Sequence, residues 1–107
     1  MRKGAYLGQF ELIVLLALMR LGDDAYGVTI AEELEQQTGR EVVIASVYAT
    51  LERLQDRGFV SSSLGAATPE RGGRAKRYFR ITSAGVREVR DTRRSLISMW
   101  KGLPELK

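Results

Sequence analysis

The sequence predicts a mainly α fold with a small β-wing: a winged helix-turn-helix followed by a C-terminal dimerisation helix. Three observations predict it. In residues 46–57 the apolar side chains Val47, Leu51 and Leu54 recur at i, i+4 and i+7, which puts them on one helical face. Two strand-like runs, 59–64 and 76–81, follow directly and are separated by a basic, glycine-containing loop. Finally, Val86, Val89, Leu96, Trp100 and Leu103 fit the a and d positions of a heptad, with Arg93 as the misfit. Residues 1–82 are therefore expected to form the winged unit and 83–107 the dimerisation helix.

Residues 1–7 read as a short arm, with Tyr6 and Leu7 available to pack on a neighbour. Residues 8–21 are apolar around most of a helix, and Phe10, Ile13, Val14, Ala17, Leu18 and Leu21 share one face. Such a helix is central to a core or shared with a partner. Gly22-Asp23-Asp24 ends it and offers carboxylate caps to a second helix over 25–38. That helix turns Ile30, Ala31 and Leu34 inward and Glu32, Glu33 and Glu35 outward, so its acidic side should support rather than face phosphate. Gly39 stops it. Residues 40–45 form the turn of the helix-turn-helix, with a short strand expected over 42–44.

The third helix begins at Ser46, whose hydroxyl suits an N-cap and whose position at the positive end of the helix dipole suits a phosphate. Ala49, Thr50, Arg53 and Arg57 lie on its outward side, small, polar or basic. Tyr48 has two readings, a packing residue at the helix edge or a hydroxyl on a nucleic-acid backbone. Gly58 ends the helix, since a residue without Cβ suits a C-terminal cap. In the second wing strand Phe79 and Ile81 alternate with Tyr78 and Arg80, as in a half-buried strand. Pro69 and Gly72-Gly73 keep the intervening loop irregular. Thr82 caps the last helix.

Composition narrows the chemistry. The 107 residues are 44% hydrophobic and 28% charged, with a net charge of +4. Between residues 70 and 80, Arg71, Arg74, Lys76, Arg77 and Arg80 face Glu70 alone, a local excess of +4 that equals that of the whole chain. Clustered charge of this kind is an electrostatic footprint for phosphate. There is no cysteine and no histidine, which removes disulfides, thiolate or imidazole catalysis and zinc clusters. No cofactor is expected, no nucleophile–base pair is evident, and the absence of cysteine fits a reducing cytoplasm. The apolar run 10–21 contains Glu11 and Arg20 and falls short of the roughly 17–25 residues of a membrane span. A membrane-surface binder would set its basic residues opposite an apolar face, whereas here they sit on a hairpin loop. A winged helix that binds only protein is the remaining alternative; a strongly basic wing argues against it.

Four segments taken together resemble the PadR-like transcriptional regulators: LGQFELIVLLAL, DDAYGVTIAEELEQQTG, SVYATLERLQDRGFV and GGRAKRYFRITSAG. The resemblance covers essentially the whole chain and points to the smaller size class, with one C-terminal helix. Family members commonly carry Pro after the wing arginine, where this chain has Ala75. The resemblance implies a homodimer that represses transcription, often at its own promoter, with residues 46–57 as recognition helix and 65–76 as wing. It implies a dimer built from the first and last helices, through Phe10, Val14, Val89, Leu96, Trp100 and Leu103. In some relatives an apolar or aromatic effector binds between the C-terminal helices; Trp100 is then dimer core or ligand platform. The expected partner is double-stranded DNA with pseudo-palindromic half-sites one helical turn, about 34–36 Å, apart. Thr50 and Arg53 are the expected base contacts, and Ser46, Tyr48, Arg71, Arg74, Lys76 and Arg77 the expected backbone contacts, with entry of one wing arginine into the minor groove as the alternative. An ion pair between Arg53 and Asp56 is the competing use of that arginine. Replacing Arg71 or Arg74 with alanine should weaken DNA binding alike for all sequences and flatten the log–log salt slope by about one. Arg53→Ala should instead erase a base preference, as a titration against permuted duplexes would show.

Overall fold

The computed structural model describes residues 6–65 and 75–105. Along the chain they form α1 (Gln9–Leu21), a 3-10 turn (Gly22–Asp24), α2 (Gly27–Thr38), α3 (Ile44–Asp56), β1 (Val60–Leu64), β2 (Arg77–Ile81) and α4 (Ser83–Trp100). The mainly helical winged architecture expected from the sequence is present, with differences at several element ends.

The centre is α1. It packs against α2, α3, β2 and α4, and Val14, Leu15, Ala17 and Leu18 are buried on it. Fully burying a Leu, Ile or Val side chain contributes about 1.5–3 kcal/mol each, so an element this apolar is stable only when covered on several sides. Ile30 and Leu34 of α2, Val47, Leu51 and Leu54 of α3, Phe79 of β2 and Val89 of α4 complete one core. Two expected dimer residues, Val14 and Val89, are thus buried inside the protomer and are corrected to core. Phe10 is half-buried and packs on the same cluster.

The charges on α1 sit near its ends. Glu11 accepts from the backbone N–H of Gly8 at 2.8 Å and lies 3.5 Å from Arg57 and 3.8 Å from Arg53. Arg20 donates to Glu33 of α2 at 2.6 Å, and that bond holds the Glu33 carboxyl below the usual glutamate range. The acidic side of α2 is therefore partly engaged in holding the fold.

Between α1 and α2 the expected aspartate cap is absent. Asp23 and Asp24 lie in the 3-10 turn, and α2 starts at Gly27, not at residue 25. Thr29 closes its first turn, accepting from the N–H of Tyr26 at 3.0 Å and donating to the carbonyl of Asp24 at 2.6 Å. The extended segment before it pairs with the wing: Tyr26 bridges Tyr78, and the N–H of Phe79 donates to the carbonyl of Ala25 at 2.8 Å.

Gly39 ends α2 with φ +71° in the left-handed region, as a glycine cap does. The expected strand over 42–44 does not form. Glu35 accepts from the N–H of Val42 at 2.8 Å, and the carbonyl of Val43 accepts from Ser46 at 2.9 Å, so α3 begins two residues early. Val43 is its N-cap residue and Ser46 lies inside the first turn, so the expected Ser46 cap is corrected.

At the other end of α3, Gly58 has φ +81°, and Phe59 N–H returns to the carbonyl of Leu54 at 2.9 Å. The wing strands pair antiparallel, Val60 with Ile81 and Leu64 with Arg77. Thr82 then performs two tasks: its hydroxyl donates to the carbonyl of Gly58 at 2.7 Å and accepts from the N–H of Gly85 at 3.1 Å. It caps α4 as expected while fastening that helix to the start of the wing. The helix ends at Trp100, so Leu103 lies beyond it and outside the expected heptad run.

At this junction α4 approaches the chain closely. A Cβ on Gly85 would lie 2.7 Å from Cγ1 of Ile81 and closer still to the carbonyl oxygen of Phe59. Backbone cannot retreat as a flexible side chain does. Gly85→Ala should therefore cost about 1–3 kcal/mol of stability, measured by urea denaturation.

Candidate nucleic-acid interface

On the solvent side of α3, Ile44, Ala45, Ser46, Tyr48, Ala49, Glu52 and Arg53 are exposed, and this face adjoins the base of the wing. Small side chains at Ala45 and Ala49 leave it low enough to enter a groove.

Thr50 is not part of that face. It is 1% exposed, and its hydroxyl accepts from Nη2 of Arg53 at 3.1 Å. Its expected role as a base contact is corrected: Val47, Thr50, Leu51 and Leu54 follow i, i+3, i+4, i+7, so the threonine falls in the apolar stripe. Arg53 remains exposed, but its partners are Thr50 and, across the helix pair, Glu11. The expected pairing with Asp56 is replaced by these contacts.

Tyr48 sits over the core edge, its ring 6.3 Å from that of Phe79 at 61°. Its hydroxyl end lies against Gly27 so tightly that a Cβ there would collide with it. The packing reading of Tyr48 thus has a defined seat, with the phenol at the first residue of α2.

Arg77 was expected on phosphate. Here its guanidinium joins the wing to α3, donating to Glu52 Oε1 at 2.8 Å, Gln55 Oε1 at 3.2 Å and Ser62 Oγ at 3.2 Å. It also lies 5.0 Å from the Phe79 ring centroid. These neighbours hold the guanidinium in the free protein, with the Arg77 side chain 38% exposed. Lys76 lies over Tyr26, 4.1 Å from the ring centroid, and Tyr26 meets Tyr78 edge-on at 5.6 Å. Arg80 pairs with Asp23 at 2.6 Å. Gly65 N–H donates to the Lys76 carbonyl at 2.7 Å and closes the described part of the hairpin. Arg71 and Arg74 lie outside the described residues.

The sequence reading missed Glu52, Gln55 and Ser62 as partners of Arg77. A weak signal was present: Glu52 and Gln55 are one helical turn apart, and Ser61–Ser63 form an unusually polar strand. Among the described residues no acidic cluster is arranged to hold a metal ion, and no helix is long and apolar enough to cross a membrane.

Between α1 and α4 lies an open, mostly apolar groove of about 560 Å³, lined by Leu12, Leu16, Val89, Leu96, Ile97 and Trp100 together with Arg93 and Lys101. Trp100 is 57% exposed there, and Met19, Met99 and Leu103 are exposed as well.

A helical core that presents α3 beside a two-stranded wing defines the winged helix-turn-helix class. The profile of the transcriptional regulator PadR-like family matches residues 15–91, and the chain belongs to that family of transcriptional regulators. The chain is similar in fold to a transcriptional regulator from Clostridium thermocellum, at 24% identity and TM-score 0.71, covering 85% of each chain. A PadR family regulator from Eggerthella lenta is similar at 24% identity and TM-score 0.69, covering 84% of this chain and 76% of that one. The complex structure of hsRosR-S1 contains a chain 25% identical, with TM-score 0.72, covering 91% of this chain and 79% of that one. No curated protein matches the chain.

The correction at position 50 has a direct check. Thr50→Val should lower stability by about 0.5–1.5 kcal/mol, the usual net value of one hydrogen bond, and leave any DNA sequence preference unchanged. Denaturation curves paired with titrations on permuted duplexes would read both.

Proposed function

We propose that this chain is a homodimeric, sequence-specific DNA-binding repressor that acts in the cytoplasm on its own or a neighbouring promoter. The observation that carries this reading is the exposed, low face of α3 beside the wing base, in a chain of a transcription-regulator family. Each subunit sets α3 into a major groove, with the basic segment 71–76 along the adjacent backbone or minor groove. Arg53 stays a candidate base contact, and Ser46, Tyr48, Arg71, Arg74 and Lys76 candidate backbone contacts.

The dimer reading rests on the apolar surface of α1 and α4. Leu96, Ile97, Met99 and Trp100 lie exposed on one helix, with Leu16 across the groove from it, and large apolar patches on soluble proteins mark association sites. A second copy supplies the missing cover. The groove beside Trp100 would also admit an apolar small molecule whose binding relieves repression.

One observation favours a second reading, a winged-helix module that binds protein. On α3 itself, Arg53 is compensated by Glu11 and Glu52 by Arg77, so the helix contributes little net positive charge.

Fluorescence anisotropy on the DNA upstream of the gene, with excess nonspecific competitor at two salt concentrations, separates the readings. Tight binding that survives competitor and weakens steeply with salt is the expected result. Absence of binding at low salt would reject the DNA reading in favour of the protein partner. Leu96→Asp should convert a dimer to a monomer in sedimentation equilibrium and weaken operator binding in parallel.

A further inference from the structure

We propose that Glu52 is a base-reading residue of α3. Its carboxylate accepts a hydrogen bond from the exocyclic amino group of a cytosine in the major groove, while Arg77 cancels its charge against the phosphates. The proposal rests on the DNA-binding reading above and adds which side chain selects a base.

Position comes first. Ala45, Ala49 and Glu52 stand at i, i+4 and i+7, so they share one exposed face of α3. The two alanines carry only methyl groups, which allow the helix to approach the groove floor without offering it a polar atom. Of the other polar groups near this face, Thr50 is buried, Arg53 is exposed with Glu11 at 3.8 Å, and Ser46 and Tyr48 are exposed nearer the helix N-terminus. Glu52 is exposed too, its side chain at 54%, and Arg77 holds it in place.

Chemistry selects the base. An ionised carboxylate only accepts hydrogen bonds. Major-groove donors are the amino groups of cytosine and adenine, and glutamate pairs by geometry with the N4 amino group of cytosine. Oε1 of Glu52 is taken by Arg77, whereas Oε2 accepts no hydrogen bond from the described residues.

Charge explains the arginine. A bare carboxylate among phosphates would be repelled, and a cation at 2.8 Å removes that penalty. Exposed ion pairs of this kind contribute little to stability, so the consequence of this one lies in where it holds the carboxylate. Gln55, Ser62 and the Phe79 ring hold the guanidinium in turn, which makes Arg77 a positioning residue.

The test is binding-site selection from a pool of randomised duplexes, run in parallel with wild type, Glu52→Ala and Glu52→Gln. Circular dichroism should show the same fold for all three. Wild type should enrich a cytosine at one position of each half-site. Glu52→Ala should lose that preference by about 5- to 150-fold while other positions persist. Glu52→Gln should move the preference to adenine, because an amide pairs with the N6 and N7 edge of that base. Identical enriched sequences for all three proteins would overturn the proposal, and so would a Glu52→Ala loss spread evenly over every position. Failure of wild type to enrich any sequence would reject sequence-specific DNA binding itself, a result visible before either variant is compared.

Discussion

Burial of α1 is the constraint on which the rest of the fold depends. The helix is apolar on more of its circumference than one neighbour can cover, so α2, α3, β2 and α4 all pack on it. Its two charged residues then act as ties at opposite ends: Glu11 reaches the arginines of α3, and Arg20 reaches Glu33 of α2. The relative placement of α2 and α3, the helix-turn-helix itself, follows from both packing on α1, with these ion pairs at its two ends.

The wing depends on this arrangement rather than on its own pairing. A two-stranded hairpin is marginal alone in water. Here Phe79 inserts into the core, Tyr26 and Ala25 bond along the edge of β2, and Arg77 binds α3. Thr82 and the close approach at Gly85 join the far end of the hairpin to α4. The exposed face of α3, the wing base and the apolar C-terminal helix are thereby parts of one body, and contact made at α4 shares a core with α3.

Much of the fold was legible in local pattern. The spacing of Val47, Leu51 and Leu54, the glycines 39 and 58 at positive φ, and the Thr82 cap all concern neighbours within one or two turns. Errors arose where a local pattern admitted two solutions. Thr50 looked polar and therefore outward, yet its place in the stripe with Val47, Leu51 and Leu54 buries it, with Arg53 as hydrogen-bond partner. Ser46 looked like a cap, but Glu35 captures the N–H of Val42 and lets the helix start sooner. Val14 and Val89 looked like interface because apolar periodicity does not say which surface does the covering.

The sequence by itself determined the helices, the hairpin, the lack of thiol or imidazole chemistry and the basic character of the segment 70–80. Those follow from backbone preference, side-chain period and composition, which act over short range. Only the tertiary structure decided the partners of the long charged side chains: Arg53 with Glu11, Arg20 with Glu33, Arg77 with Glu52 and Gln55. Flexible side chains of that length reach whichever element packing brings beside them. Pairs separated by 13 to 42 positions along the chain carry no periodic signature that sequence spacing alone would reveal.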